Sequence, residues 1–395
     1  MKNKTLHDKQ TTLLFILIVL FWFAQYAHIS FQTVFLAGIQ VSADFIGLIL
    51  GAYGVSQMLL RLPVGVMADS GGNHRLFIRL GMLASMGAGL LRMFVQNGVG
   101  FLAANILSGV ASAMWISFLV YYTGFYDGEN QRMATTKVFL GNTLGIALAF
   151  VSSALLYPRF QDSGVSMTVV AATGMLAGLI GLGITVGLRK PEKRVVVPPV
   201  GFLLTVLKNK KLLFFSLLAL VVLGVQSTTV MSFTTQIVED RGGSRTMVGL
   251  STIVFMASSV CFARIGSMPS FIKRYSKQNL VPTIFFLLTV YAIFVSHVNS
   301  IALIFCLQVL PGIAFGILLG ILTTEAMSEV PQEKKSTAMG AYQSIYAIGM
   351  TLLPAMSGRI AEFHSIGRAF IVLGCITFTA MVVSFLYYRR FTLNS

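Results

Sequence analysis

The sequence predicts an all-α integral membrane protein with twelve transmembrane helices in two six-helix bundles, and three observations predict it. Of the 395 residues, 55% are hydrophobic and only 11% are charged, whereas about 25% of residues in soluble domains are charged. The apolar residues form runs of about 20, the length that crosses the hydrocarbon of a bilayer. The basic residues lie mostly between these runs. A soluble fold of this length has too little interior to bury so much apolar surface.

Twelve apolar runs are long enough to cross a membrane, and we refer to them as the first to the twelfth span. In the first half they cover residues 11–34, 44–67, 76–95, 99–122, 136–157 and 164–188, and in the second half 212–236, 246–266, 279–296, 300–326, 337–357 and 366–388. The predicted organisation is a cytoplasmic tail over 1–10, a bundle over 11–189, a cytoplasmic linker over 190–211, a bundle over 212–388 and a cytoplasmic tail over 389–395.

The distribution of basic residues predicts the orientation of these spans. If the N-terminus is cytoplasmic, 22 of the 29 Lys and Arg residues fall in inner segments and five in outer segments. Cytoplasmic loops of membrane proteins carry such an excess of bases. We therefore expect a multi-pass protein of the cytoplasmic membrane with both termini inside. The same topology accounts for the net charge of +16 without a nucleic-acid partner.

Features typical of enzymes and metal sites are missing from the sequence. The three cysteines lie singly in apolar runs, the five histidines are scattered, and no phosphate-binding glycine loop is present. We therefore expect no cofactor, no metal and no enzymatic activity.

A weak internal repeat relates the two halves. The fifth span can be laid on the eleventh so that Gly145 meets Gly349, and Arg61 of the second span then falls near Arg264 of the eighth. Transporters built from repeated halves show this kind of relation.

The stretch that ends the second span is the most distinctive motif. It contains Gly65, then Asp69 four residues later and Gly72 three residues after that. The basic residues His74 and Arg75 follow. It resembles the signature loop of the major facilitator superfamily. The eleventh span also resembles bacterial members of that superfamily, through Tyr342, Tyr346, Gly349, Pro354 and Gly358. The resemblance implies a secondary transporter that works by alternating access and functions as a monomer.

The sequence departs from this family pattern in two places that bear on mechanism. Ser70 stands where the family has a base, and Asn105 stands where many members have an arginine in the fourth span. Because that arginine is associated with proton-coupled members, facilitated diffusion stays open beside proton-linked export. The fifth span also lacks the Gly-Pro pair of drug/proton antiporters.

The resemblance assigns a gating role to the end of the second span. The predicted gating residues are Arg61, Gly65, Asp69, Gly72 and Arg75. The alternative for Asp69 is an ordinary solvated loop acid. Arg61 lies within an apolar run and is also a candidate for attracting an anion. Arg92 lies near the outer end of the third span, so the favoured interpretation is that its side chain reaches the interface.

Three polar residues share one face of the first span: Gln25, His28 and Gln32. They are candidate substrate contacts. His28 is also a candidate proton carrier, as is Glu325 near the inner end of the tenth span. A hydrogen-bonded histidine with a packing role is the alternative for His28.

The resemblance implies that the first, fourth, seventh and tenth spans line the central cavity. Further candidate substrate contacts are Asn105, Ser112, Trp115, Thr229, Ser232, Gln308, Tyr342 and Tyr346. Stripes of Ser, Thr and Gly are also ordinary packing seams between helices in lipid, and that alternative stays open for the hydroxyl residues.

The function predicted from these features is secondary active transport of a small organic solute, with proton-linked export as one form. Because the first span has no carboxylate, we expect a neutral, zwitterionic or anionic solute. Partners are then the solute, membrane lipids and, in coupled transport, protons. The alternatives are an uptake symporter or uniporter for a neutral or anionic nutrient, and a ligand-binding membrane sensor.

Overall fold

The computed structural model describes residues 2–69, 73–126, 129–189 and 199–392, and every regular element in these ranges is helical. The spans of the first half correspond to Lys2–Tyr26 with Ile29–Gly38, Ala43–Asp69, His74–Phe94, Gly98–Ala113 with Trp115–Thr123, Glu129–Arg159 and Ser166–Ile184. Those of the second half correspond to Lys210–Thr228 with Thr229–Phe233 and Thr234–Asp240, Arg245–Gly266, Lys277–Phe294, Ile301–Leu307 through Leu319–Met327, Lys335–Phe363 and Ile366–Thr392. Short helices at Val200–Leu204, Thr205–Lys208 and Pro269–Arg274 lie between spans.

The helices group into two compact units. Unit 1 contains Met1–Ile29, Ala52–Asn209 and Val330–Ser344, and unit 2 contains Ser30–Gly51, Lys210–Glu329 and Ile345–Ser395. Each unit takes most of its residues from one half of the chain. The predicted bundle boundaries at 11–189 and 212–388 remain a prediction, and residues 190–198 of the predicted linker lie outside the described residues.

Within the described residues, eleven helices are long and apolar enough to cross a membrane. They cover every predicted span except the eleventh. The helix there, Lys335–Phe363, has the required length, but Gly, Ser, Thr, Tyr and Gln residues lower its hydropathy. Burial among other helices permits such a composition, because hydropathy measures only the preference for lipid. A twelfth transmembrane helix at this position remains a prediction.

Four of the spans are interrupted near their middle, whereas the others are continuous α-helices in the described ranges. The first breaks at Ala27 and His28, and the fourth breaks at Met114. The seventh and tenth contain π-helical turns at Thr229–Phe233 and Ala314–Leu318, and the tenth also breaks at Gln308. The resemblance to the major facilitator superfamily implies that these same four spans line a cavity.

The interruptions of the seventh and tenth spans have identifiable causes. In the seventh, the hydroxyls of Thr228 and Thr229 donate to the carbonyls of Gly224 and Val225 at 2.7 and 2.8 Å, and such side-chain bonds compete with the helical ladder. In the tenth, Pro311 has no N–H and its ring clashes with the carbonyl four residues earlier, which places a break close to Gln308.

The proposed repeat has a physical counterpart in helix packing. A Cβ atom added to Gly145 would lie 3.0 Å from Cβ of Trp22 in the first span, and one added to Gly349 would lie 2.9 Å from the carbonyl carbon of Leu220 in the seventh. The fifth span thus packs closely on the first, and the eleventh on the seventh. Matching glycines provide the same close approach in both halves of the chain.

A buried amide near the start of the chain connects the ends of the first and sixth spans. The Gln10 side chain donates to the carbonyl of Gly187 at 3.0 Å and accepts from the backbone N–H of Arg189 at 3.1 Å. Gln10 is 4% exposed.

Candidate functional site

The centre of unit 1 contains a buried arginine. Arg92 is 2% exposed, and its Nη2 donates to Asn105 Oδ1 at 2.7 Å and to Ser108 Oγ at 3.0 Å. The interpretation of Arg92 as a residue that reaches the membrane interface is therefore wrong. The helix His74–Phe94 presents this side chain to the fourth span rather than to lipid, because neutral oxygen acceptors are available there.

Two predicted residues of the first span lie in the same unit. His28 is 5% exposed, at the helix break, and interacts electrostatically with Arg92. Gln25 is 1% exposed and donates to Ser85 Oγ at 2.7 Å, while its Oε1 has no partner among the described residues. The structure thus brings His28 and Asn105 near one arginine, whereas Gln25 is held by the third span.

Trp115 begins the second half of the fourth span and packs in an aromatic cluster. Its ring is 5.0 Å from Trp22 in an edge-to-face arrangement, and it stacks with Phe21 and Phe118 at 6.4 and 6.2 Å. Such pairs stabilise beyond the area they bury. The side chain is 4% exposed, so in this state the cluster accounts for its position.

Ser112, a predicted substrate contact, is bound by a predicted gating residue. Arg61 is 3% exposed and donates from Nη2 to Ser112 Oγ at 2.9 Å, and the Tyr53 hydroxyl donates to the same oxygen at 3.1 Å. Unit 1 therefore buries a second guanidinium, held between the second and fourth spans.

The other gating candidates lie at the end of the second span. A Cβ atom on Gly65 would come within 2.7 Å of the Ser336 carbonyl oxygen, so Gly65 allows close approach of the helix Lys335–Phe363. Arg75 is half-buried and interacts electrostatically with Tyr121. Asp69 ends its helix, but its side chain and the whole of Gly72 lie outside the described residues. The gate therefore remains a prediction.

The buried polar centre of unit 2 is neutral. Gln308 is fully buried at the break of the tenth span, and its Oε1 accepts from the Tyr291 hydroxyl at 3.1 Å. The same hydroxyl is 2.8 Å from Thr234 Oγ1, and Gln308 Nε2 donates to the Ser251 carbonyl at 3.4 Å. Amide and hydroxyl groups thus connect the seventh, eighth, ninth and tenth spans.

Two of the remaining candidate substrate contacts donate to backbone carbonyls. Thr229 and Ser232 lie in the π-helical turn and donate to the carbonyls of Val225 and Ser227, at 2.8 and 2.7 Å. Gln32 is 3% exposed, with an Oε1 that has no described partner. Tyr346 is half-buried in unit 2, and Tyr342, 1% exposed, belongs to unit 1.

Glu325, the second candidate proton carrier, lies between two lysines. Its carboxylate is 2.5 Å from Lys277 Nζ and 3.3 Å from Lys211 Nζ. Its side chain is 13% exposed. This triad connects one end each of the seventh, ninth and tenth spans, and a proton-carrying role for Glu325 remains a prediction.

Comparison with known proteins identifies the family of this chain. The family model of the Major Facilitator Superfamily matches residues 14–354. The chain belongs to the Major Facilitator Superfamily. The resemblance found in the signature loop is thereby confirmed, and because members of this superfamily are transporters, the chain is expected to be a transporter rather than an enzyme.

Relatives within the superfamily have diverse descriptions. The chain is 21% identical over 396 residues to a proton-coupled antiporter flippase, LtaA, of Staphylococcus saprophyticus, covering 96% of this chain and 93% of the relative. The nucleoside transporter NupG has a similar structure, with a TM-score of 0.75 at 15% identity over 96% of this chain and 98% of that one. A bacterial homologue of the human lysosomal transporter Spinster, inward-facing and occupied, matches with a TM-score of 0.67 at 16% identity, covering 96% of both chains. At these identities the structural matches show the fold alone.

Arg92 also bears on the expectation for Asn105. The resemblance implied that Asn105 stands in place of an arginine of the fourth span, and the third span brings the Arg92 guanidinium to this asparagine. That correspondence with the family remains a prediction.

Two functional candidates were missed or misplaced by sequence reasoning: Arg92, assigned to the interface, and Tyr291, not singled out. The sequence signal for Tyr291 was a tyrosine within an apolar run. A buried tyrosine hydroxyl usually needs a hydrogen-bond partner, so this position could have been predicted to lie in a polar cluster.

Proposed function

We propose that this chain is a secondary transporter that carries a small organic solute by alternating access, with substrate contacts at the breaks of its interrupted spans. The observation that supports this most is the position of the breaks. They fall at His28, beside Trp115, at Thr229–Phe233 and at Gln308, so each coincides with a predicted substrate contact. Broken helices at the depth of a substrate site are a feature of secondary transporters.

The breaks matter because they provide polar groups inside a membrane. A continuous helix satisfies all its backbone N–H and C=O groups internally, whereas irregular backbone is tolerated only where protein or a water-filled cavity surrounds it. The residues at the breaks, which include His28, Met114, Thr229 and Gln308, have buried side chains. Because π-helical turns often mark functional sites in helices, we assign Thr229–Phe233 and Ala314–Leu318 to the region that changes shape during transport.

The solute class and direction are proposed from the similar proteins and from the titratable groups of the chain. One similar protein is a flippase and another is a nucleoside transporter. The first solutes to test are therefore amphiphiles and nucleosides, together with sugars, amino acids and organic acids. Proton-linked export is the favoured form, because His28 and Glu325 provide titratable groups and one relative is a proton-coupled antiporter. Uptake by symport or uniport is the alternative.

The test is solute exchange in proteoliposomes that contain the purified full-length protein. We expect saturable uptake of a labelled solute that is accelerated by the same solute on the opposite side, which a channel does not show. An imposed pH gradient changes the rate of a proton-coupled carrier and leaves a uniporter unaffected. Binding without any flux would identify a sensor and contradict the proposal.

A matched pair of variants in the tenth span locates the site. Gln308→Leu removes a fully buried amide at a helix break, and we expect it to reduce the exchange rate at least 10-fold, about 1.4 kcal/mol. Thr324→Val removes an exposed hydroxyl that donates only to the Gly320 carbonyl of its own helix, and we expect normal exchange. Equal activity in both variants would contradict a site at Gln308.

A further inference from the structure

The charge around Arg92 is not balanced by the protein. The side chain is 2% exposed, and its two hydrogen bonds go to the neutral oxygens of Asn105 and Ser108. His28 and Tyr53 also interact electrostatically with Arg92. A histidine is neutral or positively charged and a tyrosine is ordinarily neutral, so neither provides a negative charge. Within the described ranges of the chain, Arg92 forms no ion pair with a carboxylate.

A buried guanidinium without a counter-charge is unfavourable, and proteins normally pair such groups. In membrane proteins, an ionisable residue inside a span marks a functional site by default. In unit 2, by contrast, the partly buried carboxylate of Glu325 has two lysine partners. An anion from outside the protein would provide what Arg92 lacks.

The guanidinium also has donor capacity left for a ligand. Both Nη2 hydrogen bonds are made to protein, to Asn105 and Ser108, and these two bonds fix the orientation of the side chain. The Nε–H is buried and has no acceptor among the described residues. Arginine is the residue best suited to bind planar or tetrahedral oxyanions through several N–H groups at once.

We propose that Arg92 binds an oxyanion of the transported solute, a carboxylate or a phosphate, with Asn105 and Ser108 as the residues that position the guanidinium. This inference rests on the proposed transport function and narrows its solute class from neutral or anionic to anionic. It also gives Asn105 a role: an aspartate there would neutralise the arginine from within.

The experiment compares solutes that differ by one oxyanion. The probes are glucose and glucose 6-phosphate, uridine and uridine monophosphate, and lactamide and lactate, each tested for binding to the full-length protein in detergent micelles by the shift in its thermal unfolding midpoint. We expect the anionic member of at least one pair to bind more tightly than its neutral partner. The pair that shows this separates a phosphate from a carboxylate preference.

Three variants test the assignment to Arg92. In Arg92→Gln we expect binding of the preferred anion to weaken at least about 30-fold, the effect of removing one member of a buried charge pair, and the difference between the two members of the pair to disappear. Asn105→Asp places a carboxylate beside the guanidinium without a change of side-chain volume, so we expect the same loss of anion binding together with a higher unfolding midpoint without ligand. Arg159→Gln, at an exposed position of unit 1, should bind as the unmodified protein does.

Two results would overturn the proposal: no anionic probe binds more tightly than its neutral partner, or the anion preference survives in both Arg92→Gln and Asn105→Asp. If Arg92→Gln does not fold, the Asn105→Asp result decides. Exchange of neutral solutes without anion preference would contradict this inference and leave the transport function intact. Anion binding without exchange of any solute would contradict the transport function instead.

Discussion

In unit 1 the buried polar cluster centres on Arg92, whose guanidinium donates to Asn105 and Ser108. In unit 2 it centres on Tyr291, whose hydroxyl contacts Gln308 and Thr234. Both clusters are almost completely buried, and both lie at interrupted spans. Only the first carries a charge. The two halves of the chain therefore share a packing plan, whereas the chemistry of their buried polar clusters differs.

The shared packing plan predicts the largest effect. A valine at Gly349 would place Cβ 2.9 Å from the Leu220 carbonyl carbon, and one at Gly145 would place it 3.0 Å from Cβ of Trp22. Since a close-packed helix pair cannot accommodate added atoms without backbone shifts, we expect each variant to lose about 3 kcal/mol of unfolding free energy, or to fail to fold. The measurement is the unfolding midpoint of each purified variant.

The controls for this prediction are Gly183→Val and Gly320→Val, because an added Cβ at either position meets no atom of the described residues within 4 Å. Both should retain most of their stability. If Gly145→Val and Gly349→Val differ strongly from one another, the two halves do not share this packing position.

The neutral cluster predicts an intermediate effect. Tyr291→Phe deletes a hydroxyl that bridges Gln308 and Thr234, and it leaves a buried amide oxygen without its donor. An unsatisfied buried polar group costs about 1–3 kcal/mol, so we expect a loss of about 2 kcal/mol in unfolding free energy. Tyr275→Phe, at an exposed position, is the matched control. An unchanged midpoint in Tyr291→Phe would mean that the cluster does not stabilise unit 2.

The charged cluster predicts the smallest effect, although it contains the strongest hydrogen bonds. Arg92→Met removes the hydrogen bonds to Asn105 and Ser108 and also removes the cost of burying a charge. Removing an unpaired buried charge removes its desolvation cost, which offsets the cost of leaving the Asn105 and Ser108 oxygens without this donor. We therefore expect a change of less than about 1 kcal/mol without ligand, measured beside Tyr291→Phe under the same conditions. A loss larger than that of Tyr291→Phe would assign Arg92 a structural role.

Hydropathy predicted most of the fold, because lipid exposure constrains every residue of a span in the same direction. The helix His74–Phe94 matches the predicted third span at 76–95, and Lys277–Phe294 matches the ninth at 279–296. The helix Lys335–Phe363 shows the limit of this signal, since its polar composition separates it from the eleven apolar helices of the described chain.

The candidate site was less predictable, because it depends on contacts between distant residues. The sequence singled out Asn105 and Gln308, and both side chains are buried, but their role as substrate contacts remains a prediction. Periodicity gave no information about the partners of these residues, and so the roles of Arg92 and Tyr291 were not apparent. Whether an arginine near a span end turns outward or inward depends on the acceptors offered by neighbouring helices, and a single sequence does not show which helices are neighbours.

The buried amide of Gln10 has a practical consequence for handling the protein. Its two hydrogen bonds, to Gly187 and Arg189, make this position part of the folded first half rather than of a free tail. Truncation tolerance follows burial and hydrogen bonding rather than position in the chain. Expression designs that delete residues before Gln10 keep this connection, whereas a deletion that includes Gln10 releases the end of the sixth span where the 190–211 segment begins. Affinity tags at the N-terminus therefore belong upstream of an intact Gln10.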